Sequence, residues 1–332
     1  MSERPTHPEP RVDHPEPPVD VMGDILEAVR LRTAVFGRLE LGTPWRLRVP
    51  DRAYLSFYVV ARGSAWLEVG AGSPGASDTE AVSLSAGDAV LLPHGTAHVV
   101  RDSEQSTAPP EDFDYSECPR VQVGEVRRFG GTGPVTSLIT GHFTFSAASR
   151  NALLASLPRV IQLPADAPKA SPQLAGVVPL IVSESAAPGP GSAIVLARLA
   201  DLLLVHALRL WSVTNGQSAC GLRALRDPAI GAALRLIHGR PAEHWTVARL
   251  ALAVAMSRSG FAARFTELVG EPPLKYLARW RMTLASQLLR ETSASIPEVA
   301  MRVGYANAVA FAKAFARLQG TGPGAYRREQ SA

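Results

Sequence analysis

Apolar positions change their spacing twice along the 332-residue chain. Residues 1–20 hold few of them and carry six prolines (Pro5, Pro8, Pro10, Pro15, Pro17 and Pro18) among charged side chains, which predicts a disordered tail. Between Asp24 and Arg32, Ile25, Leu26 and Val29 have helical spacing and predict a short opening helix. From about Ala34 to Phe145 the pattern turns to short runs rich in β-branched and aromatic residues, cut by Gly, Pro, Ser and Asp clusters: residues 54–63, 64–70, 88–93, 97–102 and 136–145. Many short strands at such intervals predict a β-sandwich or barrel, with residues 70–80 and 103–119 as surface loops.

Beyond Ala147 the spacing becomes helical. NALLASLP (151–158) is followed by a Pro-rich connector, Pro164 to Pro190, and by a long helix over 193–213. Val195, Leu199, Leu202, His206 and Leu210 follow one another at spacings of 4, 3, 4 and 4 on that helix, a stripe that must be buried either on its own domain or in a dimer seam. His206 on this stripe reads as a hydrogen-bonded core histidine. A polar linker, 212–221, closes the region.

The last hundred residues contain one unit twice. Val247, Leu250, Ala251 and Val254 form a helical stripe, followed by Phe261, Phe265, Leu268 and Gly270; Ile296, Val299, Ala300 and Val303 are followed by Phe311, Phe315, Leu318 and Gly320. The offset is 49 before the turn and 50 after it, too regular for chance. Each unit reads as helix, tight turn, helix. Ser257 and Asn307 are positioned to cap the second helices, and Ser295 with Glu298 has the spacing of a capping box. Gly304 suits a positive-φ turn, whereas the first unit has Ala255 there. Between the units Pro273 can open a connecting helix whose apolar face is Leu277, Trp280, Leu284 and Leu288.

In helix-turn-helix units the second helix enters the major groove. With the Phe and Leu residues turned inward, Ser259, Ala262, Ala263 and Thr266 of one unit and Ala308, Val309, Ala312 and Lys313 of the other face out. These faces carry few groups for bidentate base readout, which leaves apolar contact with thymine methyls and indirect readout a larger share. Arg258, Lys313, Arg317, Arg281, Arg327 and Arg328 are candidates for phosphate contacts.

Charge changes the picture only once it is divided. The chain has a net charge of +4, but residues 1–221 hold 18 Lys and Arg against 23 Asp and Glu, while 222–332 hold 16 against 7. An acidic part of −5 thus precedes a basic part of +9, and a polyanionic partner is expected for the second alone. With 46% hydrophobic and 19% charged residues the chain is not wholly disordered. Two cysteines, Cys118 and Cys220, make no disulfide framework, and no leader-like segment opens the sequence, so a cytoplasmic protein is expected. The most apolar stretch, Ala193 to Trp211, is broken by Arg198, Asp201, His206 and Arg209 and fails as a membrane span, which needs about 20 nearly uncharged residues.

Residues 222–329 resemble the AraC-type DNA-binding domain, in the stretches 245–291 and 295–328 and in the terminal Gly320, Pro323, Tyr326 and Arg327. Asn307 and Lys313 stand where that family most often has Ser and Arg. GDAVLLPHGTAH (87–98) resembles the second cupin motif, with His98 as its closing histidine, and residues 30–50 resemble the opening of the sensors that precede such DNA-binding domains. The resemblance implies an α+β multidomain chain: a cupin-like barrel with a helical extension (21–190), an amphipathic helix and linker (191–221), and an all-α reader with two helix-turn-helix units (222–332). It implies a transcription regulator, not an enzyme, that binds double-stranded DNA, with RNA polymerase and a second copy of the chain as open partners.

Metal-dependent cupins need a His-x-His and a carboxylate besides the closing histidine, and no histidine lies between His14 and His94, so no metal and no cofactor are expected. Tyr58, Trp66, His94, His98 and His142 are the candidates for a pocket holding a small effector inside the barrel. Two other readings stay open: a cupin metal enzyme fused to a DNA-binding domain, and a constitutive DNA-binding protein whose barrel only dimerises.

Overall fold

The computed structural model describes residues 19–24, 32–52, 54–70, 79–114, 126–144, 157–165, 172–214 and 220–331. Most of the expected tail, residues 25–31 of the opening helix and residues 151–156 of NALLASLP lie outside these. Within them, Val19 and Asp20 depart from the expected disorder. Val19 packs against the core of the C-terminal part, and the Asp20 carboxylate accepts from the Gly23 amide at 3.0 Å, starting a helical turn at 21–24.

The strands are β1 (Arg32–Gly42), β2 (Arg46–Val49), β3 (Tyr54–Arg62), β4 (Ser64–Val69), β5 (Glu80–Ser85), β6 (Ala89–Leu92), β7 (His98–Arg101), β8 (Glu111–Asp112), β9 (Val126–Gly130), β10 (Val135–Thr144) and β11 (Ile161–Leu163). Arg32, expected in a helix, opens β1 instead, paired with Thr144. Six strands form one sheet in the order β11-β6-β3-β10-β1-β9, and five form a second in the order β5-β4-β7-β2-β8. The two ladders stay separate, so the expected barrel is an open pair of facing sheets. Between them lies an apolar layer with Leu39, Leu41, Tyr58, Val60 and Leu138 from the first and Leu47, Val49, Leu67, Val69 and Val100 from the second.

The outer face of the six-stranded sheet is covered as well. Leu55, Phe57 and Val59 alternate with the inward residues of β3 and meet α1 (Pro172–Ala186) and α2 (Ser192–Thr214). With both faces buried, β3 reads as a near-continuous apolar run, interrupted at Ser56. Helix α1 corrects the expected connector: Leu174, Val177, Val178 and Ile181, at i, i+3, i+4 and i+7, bury one face despite Pro179 inside the helix. On α2 the expected stripe is displaced by one residue. Leu196, Ala200, Leu203, Ala207 and Trp211 are buried, whereas Val195 and Leu202 are exposed and His206 is half-buried. Apolar residues occupy most of this helix's circumference, so spacing alone does not select the face that packs.

The C-terminal part consists of α3 (Cys220–Arg226), α4 (Pro228–Gly239), α5 (Val247–Ala253), α6 (Arg258–Val269), α7 (Pro273–Glu291), α8 (Ile296–Arg302), α9 (Ala308–Gln319) and α10 (Pro323–Ser331). Two separate cores form. Phe261, Phe265, Leu250 and Ile237 pack with Tyr276, Leu277 and Trp280 of α7; Phe311, Phe315, Val299 and Val303 pack with Met282, Ala285 and Leu289 of the same helix. Leu318, expected to face inward, is 39% exposed, whereas the equivalent Leu268 is 5% exposed. Among the described residues helix α6 has α3 and α4 behind it in addition to α5 and α7, whereas α9 has α10 in addition to α7 and α8.

Both turns take the left-handed conformation, at φ +83° for Gly304 and +54° for Ala255. An L side chain in that region costs about 1–2 kcal/mol, partly offset by the smaller chain entropy that alanine loses on folding. Ala255→Gly is therefore expected to raise stability by about 0.5–1 kcal/mol, measured as a higher urea midpoint. A lower midpoint would show that the Ala255 methyl contributes packing that outweighs the strain.

Candidate nucleic-acid interface

Each second helix begins where a side chain satisfies its first amides. Ser257 Oγ accepts from the Gly260 amide at 3.2 Å, and Asn307 Oδ1 accepts from Val309 at 2.7 Å and Ala310 at 3.4 Å. Gly270 and Gly320 end the helices in the left-handed region. The capping box at the start of α8 is complete, with the Ser295 amide donating to Glu298 at 2.7 Å and the Glu298 amide to Ser295 Oγ at 3.4 Å. Caps at both ends hold α6 and α9 as short, defined rods whose outer faces are left uncovered.

On α6, Arg258, Ser259, Ala263 and Thr266 are exposed and Ala262 is half-buried. Thr266 Oγ1 donates to the Ala262 carbonyl at 2.8 Å, so its hydroxyl faces outward as an acceptor. On α9, Val309 is 62% exposed, Lys313 and Arg317 are exposed, and Ala308 and Ala312 are half-buried. Arg328 on α10 is exposed as well. Two of the arginines considered for phosphate contact are committed elsewhere. Arg281 donates to the Pro241 and Glu243 carbonyls at 2.7 and 2.8 Å, and Arg327 to the Leu289 and Ala294 carbonyls at 3.2 and 2.5 Å. Backbone carbonyls without helix partners recruit these guanidiniums, which nothing in the local sequence announces. Arg264, although on α6, pairs with Asp227 at 2.5 Å. Burial opposes ionisation of that carboxyl, but the amide hydrogen bond from Ile230 and the Arg264 guanidinium hold it below the usual carboxylate range.

The sensor candidates fall in three places. Tyr58 and His98 meet in the layer between the sheets: His98 Nδ1 donates to the Thr96 carbonyl at 2.8 Å, and Nε2 accepts from the Tyr58 hydroxyl at 2.7 Å. Burial pushes His98 down to about 4, so it is neutral at physiological pH. His142 lies on the same face of β10 as Leu138, stacked on Tyr54 at 4.5 Å, and burial pushes it too down to about 4. His94 sits exposed at the rim, its Nε2 donating to the Leu157 carbonyl at 2.7 Å. Trp66 alternates with the inward Ala65 and Leu67, so it lies on the outer face of its sheet, with its indole on Glu68 at 3.3 Å. That parity corrects its place among the wall residues.

Sequence reading missed Ser56, fully buried between Tyr54 and Tyr58 on the same face of β3, with its Oγ lacking a hydrogen-bond partner among the described residues. A lone serine in an apolar strand is a weak signal. Among the described residues no group of three His, Cys, Asp or Glu side chains has metal-ligating placement, and no helix is long and apolar enough to cross a membrane.

Comparison with known proteins agrees with this division. The Cupin family profile matches residues 20–212, and a helix-turn-helix domain profile matches residues 250–329. A protein from Streptomyces lividans described as an AraC-like transcription regulator is 35% identical, covering 93% of this chain and 98% of its own length. One of the same description from Streptomyces antibioticus is 34% identical over 93% of this chain and 99% of its own. A crystal structure of the DNA-binding domain of AdpA, a global transcriptional factor, in complex with a target DNA is 35% identical over 31% of this chain and 92% of that one, at a TM-score of 0.30. With a cupin domain in its first two thirds and a double helix-turn-helix domain in its last, this chain belongs to the AraC-type family of DNA-binding transcription regulators.

Proposed function

We propose that α6 and α9 enter successive stretches of the major groove of one duplex, and that a small molecule held between the two sheets biases this binding. The observation that carries the reading is the repeated geometry: two capped helices with uncovered faces, mounted on the single helix α7. Arg258, Lys313, Arg317 and Arg328 supply phosphate contacts. Ser259 and Thr266 offer the hydrogen bonds to base edges, and Ala262, Ala263, Ala308, Val309 and Ala312 present small apolar surfaces suited to thymine methyls. Asn307 is occupied as a cap.

In the sensor, Tyr58, His98 and His142, joined by Tyr54 and Ser56, gather polar groups within an otherwise apolar layer, which suits an uncharged or weakly polar effector. Such a ligand acts only through unequal affinity for two arrangements of sensor and reader. The exposed Leu180 of α1 and Ile194, Val195 and Leu202 of α2 support a pairing of two chains along these helices. RNA polymerase is the natural further partner at a promoter, and the cytoplasm the compartment. The proposed domain division is 21–190, 191–221 and 222–332, with α2 of the middle segment packed on the sensor sheet.

DNA affinity is expected to fall steeply as salt rises, because phosphate contacts release counterions. Lys313→Ala should weaken binding to all duplexes alike and reduce the slope of log affinity against log salt by about one. Fluorescence anisotropy with a labelled duplex reads both, and salt-independent binding would contradict the proposal.

His98 gives the sensor a pH signature. Because its folded value lies near 4 and its unfolded value near 6.5, protonation favours the unfolded chain. Stability contributed through His98 is full above pH 6.5 and is lost as pH falls towards 4, by about 3 kcal/mol in all. His98→Gln should flatten that part of the urea-midpoint profile, His142 supplying the residual slope; an unchanged profile would show that His98 titrates normally.

A further inference from the structure

We infer that Arg281 fixes the distance and angle between the two reading helices, and thereby the spacing of the DNA site that this chain accepts. The inference rests on the proposed engagement of both units with one duplex. The two units have separate cores, and among the described residues half-buried Leu284 packs against both. Helix α7 alone therefore sets where each unit is attached, but not how firmly each is held at its attachment.

A second connection supplies that. The loop ahead of α5 and the turn between α8 and α9 approach so closely that a Cβ on Gly304 would stand 2.7 Å from the Ala242 carbonyl oxygen and 2.8 Å from Ala242 Cα. The same Cβ would lie 2.7 Å from Arg281 Nη2, which places the guanidinium at this junction. Its Nε donates to the Pro241 carbonyl at 2.7 Å and its Nη2 to the Glu243 carbonyl at 2.8 Å, while its Cζ lies 5.8 Å from the Tyr305 ring centroid. One planar fork thus holds the first unit's loop by two hydrogen bonds and lies against the second unit's turn.

The loop it holds is itself stiff. Trp245 donates to the Arg240 carbonyl at 3.0 Å, and Arg249 donates to the His244 carbonyl at 2.6 Å and to Glu243 at 2.8 Å. Movement at Arg281 is therefore passed to α5 and α6 as a rigid shift. Lysine can keep the charge beside Tyr305 but not the paired donors.

One base pair inserted between two major-groove contacts moves them apart by about 3.4 Å and about 35°, more than a rigidly coupled pair of helices can follow. The test takes the full chain and a duplex selected by it from a random pool, with footprinting to locate the two protected segments. Affinity is then measured on that duplex and on versions with one base pair inserted or deleted between the segments. The unsubstituted chain is expected to lose roughly tenfold or more on either change, on the scale of a mismatched base pair. Arg281→Met should bind the selected duplex less tightly yet lose less than about threefold on changed spacing, with Arg281→Lys in between.

A profile for Arg281→Met that is parallel to the unsubstituted one overturns the inference, since a domain that is merely less stable loses affinity on every duplex equally. Protection of a single segment, or no selected duplex at all, overturns the two-unit reading and the inference with it. Urea unfolding accompanies each variant, and if Arg281→Met does not fold, Arg281→Lys and Tyr305→Leu carry the same comparison.

Discussion

The burial of one helix on two sides organises the C-terminal part. Helix α7 presents Tyr276, Leu277 and Trp280 to one core and Met282, Ala285 and Leu289 to the other, so neither helix-turn-helix unit closes its core without it. A short helix pair buries too little apolar surface to be stable alone. Sharing α7 solves this for both units and fixes a separation between them in the same step. The units are alike but not equally enclosed, which is why Leu268 is buried and Leu318 is not.

Each domain also buries a histidine against a tyrosine hydroxyl. In the sensor it is His98 with Tyr58. In the reader, His238 of α4 meets Tyr276 at 2.8 Å and the Asp24 carboxylate at 3.1 Å, and stacks on Trp280 at 4.0 Å. Burial pulls His238 below its ordinary value, with Asp24 opposing. In both places each ring nitrogen is satisfied, the condition under which a polar group persists in a core. The His238 contact also ties the N-terminal turn to the reader: Val21 joins the reader core while the adjacent Met22 packs on the sensor core. Two neighbouring residues thus face the two domains, as does Leu225 just after the linker.

Arginine has two kinds of role in the reader. Arg258, Arg317 and Arg328, together with Lys313, keep their charges in solvent, whereas Arg281 spends its charge on carbonyls of the loop ahead of α5 and Arg327 on carbonyls at and just beyond the end of α7. A net charge of +9 in residues 222–332 therefore overstates the charge offered to a polyanion, and the exposed subset is what counts.

The sequence by itself determined the order of the elements, the repeat with its 49- and 50-residue offsets, the caps at Ser257, Asn307 and Ser295, the left-handed turns and the likeness to AraC-type readers. These are local: each depends on residues within a few positions of one another, so spacing and residue type suffice. It also placed Tyr58 and His98 among the candidates for the interior of the sensor. The helix α1 was legible at Leu174, Val177, Val178 and Ile181, but Pro179 and the surrounding prolines masked it. Only the tertiary structure decided which face of α2 packs, that Trp66 turns outward, that Ser56 joins the interior, and that Arg281 joins Pro241 of the loop ahead of α5 to Tyr305 of the second unit's turn, 64 residues further on. Each of these depends on what an opposing element presents, and pairing between distant segments leaves no period in the chain to read.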